Sequence, residues 1–303
     1  MLKGLAITPP VIGRISIGRV VEKNGKRLPE KDDQFTITTQ VQNRDGWMLH
    51  PLNESLRKAT TGKLRSIPVR MLFNAPDLNL RAEYCLFDRN TGRPVCVGNG
   101  ETCKRTGEHG IEALACPSPE GCAFGQSGNC KPYGRLNMTI GDEDELDSFI
   151  FRTTSYNSIR SLSARLHYLS AVSGSLLACL PLELKLRGKS TTQSYRSPIF
   201  YVDLGVRVGS DLEAAIAQAH DLNERRKAVG FDQPALDAAA RLGFSQGAFE
   251  DSPDERAAVA EEFFPEDGGA VTVDPKSAPT PGTPSSLKDK LDRKAAALAA
   301  VPT

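Results

Sequence analysis

The 303-residue sequence has few aromatic residues, only 6%, and a single Trp. It contains no run of about 18 apolar residues, the length needed to cross a bilayer. Its amino terminus also lacks the charged, apolar and small-residue succession of a secretory leader. We therefore expect a cytoplasmic protein with no membrane anchor. In a reducing compartment, an odd count of seven cysteines fits metal ligands and buried thiols better than disulfides.

Recognisable catalytic motifs are also missing. The four histidines have no motif partner, and the chain has no Gly-x-Ser-x-Gly elbow, phosphate-binding glycine loop or His-Glu-x-x-His pair. The acidic run at residues 142–145 could hold a divalent metal. Adjacent carboxylates alternate in direction along an extended chain, however, which favours a solvated turn. We predict that the protein is not an enzyme, and a metal-dependent hydrolase is the least favoured function.

Cysteine, in contrast, is concentrated in one stretch rich in glycine and proline. The spacing is C-x12-C-x5-C-x7-C, formed by Cys103, Cys116, Cys122 and Cys130. Four thiolates around Zn²⁺ make a closed structural site, which organises segments with too few apolar side chains to fold unaided. We predict such a structural zinc site, with Cys96 as an alternative ligand and His109 as a further candidate.

Other fates of these thiols stay open, because the spacing contains no Cys-x2-Cys turn. They could be buried thiols that behave as small apolar side chains. They could also hold an iron–sulfur cluster, although nothing else in the sequence indicates electron transfer.

The small net charge of +1 hides an asymmetry. Residues 1–208 contain 28 basic and 20 acidic residues, a net +8, whereas residues 209–303 contain 10 and 17, a net −7. A basic body with an acidic appendage is common in proteins that meet nucleic acid or a nucleic-acid-bound partner. Ordinary solvated surface explains the charge equally well.

The pattern of apolar residues predicts an α+β body rich in antiparallel pairing. Alternation predicts strands at residues 14–21, 34–41, 67–73, 80–87, 131–140, 180–186 and 197–208. Asn24-Gly25 predicts a hairpin turn, and a turn containing Gly188 is expected between the last two strands. Residues 151–174 predict a helix with one apolar face, formed by Ile159, Leu162, Leu166, Leu169 and Val172.

We expect three parts in the chain. Residues 1–208 form the body, with a four-cysteine metal loop within residues 96–130. Residues 209–264 form a small helical segment, with helices predicted at 212–229 and 234–242. Residues 265–303 are rich in Pro, Ser and Ala, which predicts a flexible linker and a short terminal helix at 287–300. Residues 209–303, which we call the tail, are thus expected to be helical and partly disordered.

Six strings of the body, taken in order, resemble the recombination directionality factor-like family of phages and integrative mobile elements. Members of this family are often labelled hydrolases or metal-binding proteins. The resemblance covers about residues 1–208. The strings are GRIxIG at 13–18, LPEKDDQFTIT at 28–38, LRAEYC at 80–85, CVGNG at 96–100, CKPYGRL at 130–136 and FRTTSYNSIR at 151–160.

The resemblance implies an accessory factor that does not cut DNA. Such a factor binds an integrase of the large serine recombinase type and turns it from integration toward excision. The family's cysteine-bearing segment matches Cys116, Cys122 and Cys130 here. Cys103 stands where relatives often have a small residue, so the resemblance leaves the fourth ligand open.

A second function is a zinc-stabilised protein of a mobile element that binds single- or double-stranded DNA, either directly or through the integrase. Its chemistry requires a basic surface with aromatic stacking platforms. For Tyr133 and Tyr156, a half-buried core position is the slightly favoured interpretation. The candidate nucleic-acid or partner surface comprises Lys131, Tyr133, Arg135, Arg152, Tyr156 and Arg160.

Overall fold

The structure is a computed structural model. It describes residues 10–23, 26–44, 46–60, 62–108, 110–142, 147–190 and 198–246, together with residues 259, 263 and 264. The side chains of residues 19–32 and 244–246 are outside this description. Met1–Glu266 form one compact unit and Asp267–Thr303 are grouped separately. The predicted linker and terminal helix therefore lie outside the described residues.

Twelve strands and seven α-helices follow one another in the described residues. The strands are β1 Val11–Lys23, β2 Lys26–Asn43, β3 Gly46–Leu49, β4 Ser66–Met71, β5 Leu80–Phe87, β6 Pro94–Gly98, β7 Thr102–Gly107, β8 Gly110–Ala115, β9 Lys131–Ile140, β10 Ser148–Thr153, β11 Leu182–Ser190 and β12 Pro198–Val206. The helices are α1 Pro51–Thr60, α2 Pro76–Asn79, α3 Ser118–Gly121, α4 Ala123–Gly128, α5 Tyr156–Val172, α6 Leu212–Ala228 and α7 Gln233–Gln246.

All twelve strands belong to one sheet that branches at β9. Its main path runs β3-β2-β1-β10-β9-β5-β6-β7-β8, and β4 connects β9 to the pair β11 and β12. Strands β1 and β10 are parallel, and the other pairs are antiparallel. The predicted α+β class with mainly antiparallel pairing is confirmed.

The first predicted hairpin is present. Strands β1 and β2 pair antiparallel, with Ile15 opposite Ile37 and Ile17 opposite Phe35. Ile15, Phe35 and Ile37 are buried in the main core, as their alternation with polar residues requires. The turn residues 24 and 25 lie outside the described residues.

Two predicted boundaries are wrong. The helix predicted from residue 151 begins only at Tyr156, because Phe151 and its neighbours pair with β9 as strand β10. Ser155 caps the helix, since its hydroxyl accepts a hydrogen bond from Ser158 N. Gly188 is not in a turn: it lies in β11 opposite Phe200. In both cases strand pairing across the sheet overrides a local signal.

The core lies between the sheet and α5. Leu162, Leu166 and Leu169 are buried with apolar side chains of β9, β10, β11 and β12, which confirms the centre of the predicted apolar face. Ile159 and Val172, the two ends of that face, are half-buried. The hydroxyl of Ser158 accepts a hydrogen bond from Val202 N, so α5 also covers part of the edge of β12. The helix is thereby held against the last two strands.

Helices are present where the sequence predicts them after the body. The buried residues Ala215 and Ala219 of α6 join the main core. Ala240 of α7 packs with Phe73 and Leu78 near α2. Both helices thus contact the sheet-containing part of the molecule.

Candidate functional site

Five cysteines line one small cavity at the end of the sheet. Cys96 lies on β6, Cys103 lies on β7, Cys116 follows β8, and Cys122 and Cys130 bracket α4. The cavity is also lined by the side chains of Tyr84, Leu86, Arg105, Pro119 and Phe124. The four thiols predicted as ligands and the alternative Cys96 therefore line the same cavity. They are spread over residues 96–130 of the sequence, and the pairing of β6, β7 and β8 together with two short helices brings them close.

Glycine at position 98 permits this convergence. Gly98 pairs with Cys103 across β6 and β7. A Cβ atom at position 98 would lie 2.7 Å from the Cys103 Cβ and 2.8 Å from the Cys116 Sγ. Contacts that short are not tolerated, so any larger residue would push the strands or the thiols apart.

We expect Gly98→Ala to destabilise the chain by about 1–3 kcal/mol, the usual cost of forcing an extra methyl group into a packed site. Urea denaturation followed by circular dichroism measures this. Gly205→Ala is the matched control, because a Cβ there meets only the Lys185 side chain at 3.8 Å. Equal stabilities of the two variants would contradict the close packing at Gly98.

The segment after β8 consists of two short helices, α3 and α4. Cys122 caps α4, and its Sγ accepts a hydrogen bond from Gly125 N at 3.3 Å. Asn129 ends this helix in the left-handed conformation, at φ 61°. That reversal leads directly into Cys130 and β9, which places Cys122 and Cys130 on either side of Gly125.

Among the described residues, Arg105 is a cation in contact with the thiols, and the sequence alone did not single it out. Its Nη2 lies 3.7 Å from the Cys122 Sγ, and its guanidinium lies over the Phe124 ring at 4.1 Å. Arg105 is opposite Cys96 across β6 and β7. The only sequence signal was its position two residues after Cys103, on the same strand face.

The thiols differ in their tendency to ionise. Burial raises the pKa of the Cys103 thiol to about 11, and a hydrogen bond with Cys96 contributes to the shift. Burial also raises the pKa of Cys130 to about 11, with neighbouring thiols adding to it. By contrast, the Gly125 N–H and then Arg105 lower the pKa of Cys122. Crowded thiols disfavour one another's ionisation, because each thiolate repels the next.

The cavity brings the sulfur atoms together without a finished coordination shell. Among the described residues, no group of three or more His, Cys, Asp or Glu side chains is already placed to hold a metal ion. His109, the further candidate ligand, lies outside those residues. The described geometry therefore provides a set of convergent sulfur donors, and the zinc site stays a prediction.

The three residues of the predicted partner surface that lie on β9, Lys131, Tyr133 and Arg135, are largely buried. Tyr133 is 1% exposed and Arg135 is 7% exposed, and Arg135 pairs with Glu83 at 3.0 Å. Tyr133 packs edge-on against Phe87, which removes it as a platform for a nucleic-acid base. Lys131 is half-buried, and its ammonium donates to the Phe263 carbonyl.

The other three residues of the predicted partner surface, on β10 and α5, are better exposed. Tyr156 is 60% exposed, Arg160 is also exposed, and Arg152 is half-buried. Tyr156 and Arg160 are one turn apart on α5, so they share one face of the helix. The helix contains two arginines and a histidine and no acidic residue.

A carboxylate beside this helix holds two further arginines. The buried Asp203 accepts hydrogen bonds from Arg165 Nε at 3.2 Å and Arg187 Nε at 2.7 Å. Both arginine side chains are about half exposed, at 51% and 50%. Near them, the Lys189 ammonium donates to Asn157 of α5 at 2.8 Å. We call Arg165, Arg187 and Lys189 the basic face.

A comparison with protein-family models matches residues 12–207 to the Gp3-like model, described as recombination directionality factor-like. The chain belongs to this family. No curated protein and no solved structure matches the chain. The match to the recombination directionality factor-like family begins in β1 and ends just after β12, so it includes the thiol cavity and the basic face.

Membership in the recombination directionality factor-like family confirms the resemblance and supports a recombination-related role in a phage or mobile element. The matched range stops before α6 and α7. Within the described part of the chain, no helix has the length and apolar character required to span a membrane.

Proposed function

We propose that this protein is a non-catalytic accessory regulator of site-specific recombination. It binds a serine-type integrase encoded by the same mobile element and favours excision over integration. The observation that carries this proposal is the family match over residues 12–207. That range contains every described strand except the first residue of β1, so the family match extends over the whole described sheet.

A structural zinc ion is the second part of the proposal. The thiol cavity offers five sulfur donors, and a tetrahedral site needs four thiolates. Cys103, Cys116, Cys122 and Cys130 are the proposed ligands, with Cys96 as the alternative. When bound, the cation would stabilise the thiolates against mutual repulsion, and the residues around it would only shape and shield the site.

The location of the cavity supports a structural role for this metal. Its cysteines connect β6, β7, the end of β8, and α4. Strands β7 and β8 extend beyond the main core, and every residue of β8 is exposed. A metal clamp at this end of the sheet would hold a part of the fold that has few apolar contacts of its own.

A direct DNA contact is the second candidate function, and the basic face is the observation that favours it. Asp203 orients Arg165 and Arg187 while leaving each half exposed. Arginines held in this way are suited to phosphate oxygens. In this alternative the protein would be a zinc-stabilised DNA-binding factor of the mobile element.

Recombination in vitro tests the proposed function. The substrates are the two attachment sites produced by integration, and the integrase of the same element is supplied with increasing amounts of this protein. We expect recombination of these sites only when the protein is present. An integrase that is active in integration but unaffected by the protein on the product sites would contradict the proposal.

Salt dependence separates a protein interface from a DNA interface. A direct DNA contact through four phosphates should give a log-log slope of affinity against salt of about −3.6. We expect the protein to bind the integrase alone with a much smaller slope. Tight binding to DNA without integrase, weakened by Arg165→Ala and Arg187→Ala, would favour the DNA-binding candidate instead.

A further inference from the structure

An aromatic groove on the body is occupied by a segment of the chain's own acidic tail. The groove consists of Cys85, Phe87, Val97 and Tyr133 on β5, β6 and β9, with Lys131 and Arg89 at its rim. Val259 and Phe263 from the tail lie in it and are fully buried. The groove residues fall inside the family match and the tail segment falls outside it.

The contacts in the groove are specific for an aromatic anchor. The Phe263 ring meets Phe87 edge-on at 4.8 Å and Tyr133 at 6.0 Å between centroids. Lys131 Nζ lies 4.4 Å from the centre of the Phe263 ring. These are favourable arrangements, because ring edges and cations are attracted to the negative face of an aromatic ring.

The rim is basic where the tail is acidic. Lys131 donates to the Phe263 carbonyl, and the Arg89 guanidinium lies 5.4 Å from the centre of the Phe264 ring. Residues 251–267 contain seven acidic residues and one basic residue. The groove therefore combines an apolar floor with a positive edge, and its occupant has the matching composition.

The spacing of Val259 and Phe263, the two anchor residues, indicates what kind of segment the groove binds. Val259 and Phe263 are helical residues four positions apart, and both side chains are buried in the groove. Four positions is the spacing of side chains that are neighbours on a helix. Docking an amphipathic helix through anchors one turn apart is a recurrent mode of protein recognition. The tail thus shows the chemistry that the groove accepts.

We propose that the aromatic groove is a docking site for an acidic helix of the integrase, and that residues 259–264 are its intramolecular competitor. This inference rests on the proposed function, because it names the surface by which the factor contacts its integrase. The integrase segment would carry two apolar anchors one turn apart, at least one of them aromatic, flanked by acidic residues. The tethered tail competes at high effective concentration, so it sets a threshold for integrase binding.

The first experiment measures the groove without any integrase. The probe is a fluorescently labelled synthetic peptide of residues 251–267, and the proteins are full-length wild type and a Val259→Ala, Phe263→Ala double variant. We expect the peptide to bind the double variant at least about 10-fold more tightly, since the tail no longer competes. Adding Lys131→Glu to the double variant should remove the binding.

A matched control separates opening of the groove from general loss of an aromatic side chain. Phe231 is 42% exposed and is not part of the groove, so Phe231→Ala should bind the peptide as weakly as wild type. Thermal unfolding of each variant checks that it is folded. Equal peptide binding by wild type, the double variant and its Lys131→Glu derivative would overturn the groove as a binding site.

The second experiment adds the integrase. We expect unlabelled integrase to displace the peptide from the double variant and to bind that variant about 10-fold more tightly than wild type. An integrase that supports excision with this protein but never displaces the peptide would overturn the integrase as the groove's ligand and leave the proposed function intact. If excision never depends on the protein, the proposed function fails, while the peptide titration still decides whether the groove binds an acidic helix.

Discussion

Replacing Cys130 with Ser is expected to reduce bound zinc from about one equivalent to less than half an equivalent and to lower the melting temperature by about 10 °C. Cys130 lines the thiol cavity between α4 and β9. Structural zinc contributes about 10–16 kcal/mol of binding free energy in zinc-finger peptides. Even a third of that value gives the expected shift for a domain of this size, since 1 kcal/mol corresponds to about 2–4 °C.

Metal analysis and thermal unfolding, each with and without a chelator, measure this effect. The matched control is Cys179→Ala, because Cys179 is buried in the main core and is not part of the cavity. That variant should keep its zinc and show no added sensitivity to the chelator. Wild-type protein that contains no metal and is unaffected by chelation would remove the zinc site from the proposal.

Asp203→Asn is expected to lower the free energy of unfolding by about 2–3 kcal/mol at pH 7. Its carboxylate is 5% exposed and accepts from Ser161, Arg165 and Arg187. Removing one partner of a buried pair costs about 3–5 kcal/mol. We expect less here, because both arginines remain half exposed and solvent can hydrate them.

The pKa of the Asp203 carboxyl determines how this loss of stability depends on pH. Burial opposes its ionisation, but the hydrogen bonds from Arg187, Ser161 and Arg165 outweigh burial and lower the pKa of Asp203. A lowered folded-state pKa means that the stabilisation is complete above the unfolded-state pKa of about 3.9 and is lost as pH falls through the folded-state value. The difference between wild type and Asp203→Asn should therefore shrink progressively below about pH 4.

Urea denaturation at several pH values between 3 and 7 measures both effects. Asp142→Asn is the control, because Asp142 also pairs with two arginines but its side chain is 56% exposed. A pair so exposed should contribute less than about 1 kcal/mol. A loss for Asp203→Asn that is no larger than for Asp142→Asn, or that is unchanged at pH 3, would contradict the role of Asp203.

The partner surface shows where local pattern was insufficient. The sequence grouped Lys131, Tyr133 and Arg135 with Tyr156 and Arg160, because all are basic or aromatic. The structure buries Tyr133 and Arg135 and exposes Tyr156 and Arg160. Residue type alone does not report burial in a central strand such as β9, which has neighbours on both sides.

Sequence patterns were sufficient to predict the strands of the first hairpin, the apolar face of α5, the family, and the crowding of cysteines between residues 96 and 130. These are local properties, because alternation, helical periodicity and spacing are all set within a few residues. Three contacts became evident only in the folded chain: Cys96 lies with the other four thiols, Asp203 accepts hydrogen bonds from two arginines, and Phe263 lies against Tyr133. Each of those contacts depends on strand register or on packing between distant segments, which is fixed by the whole buried sheet and not by any single stretch of chain.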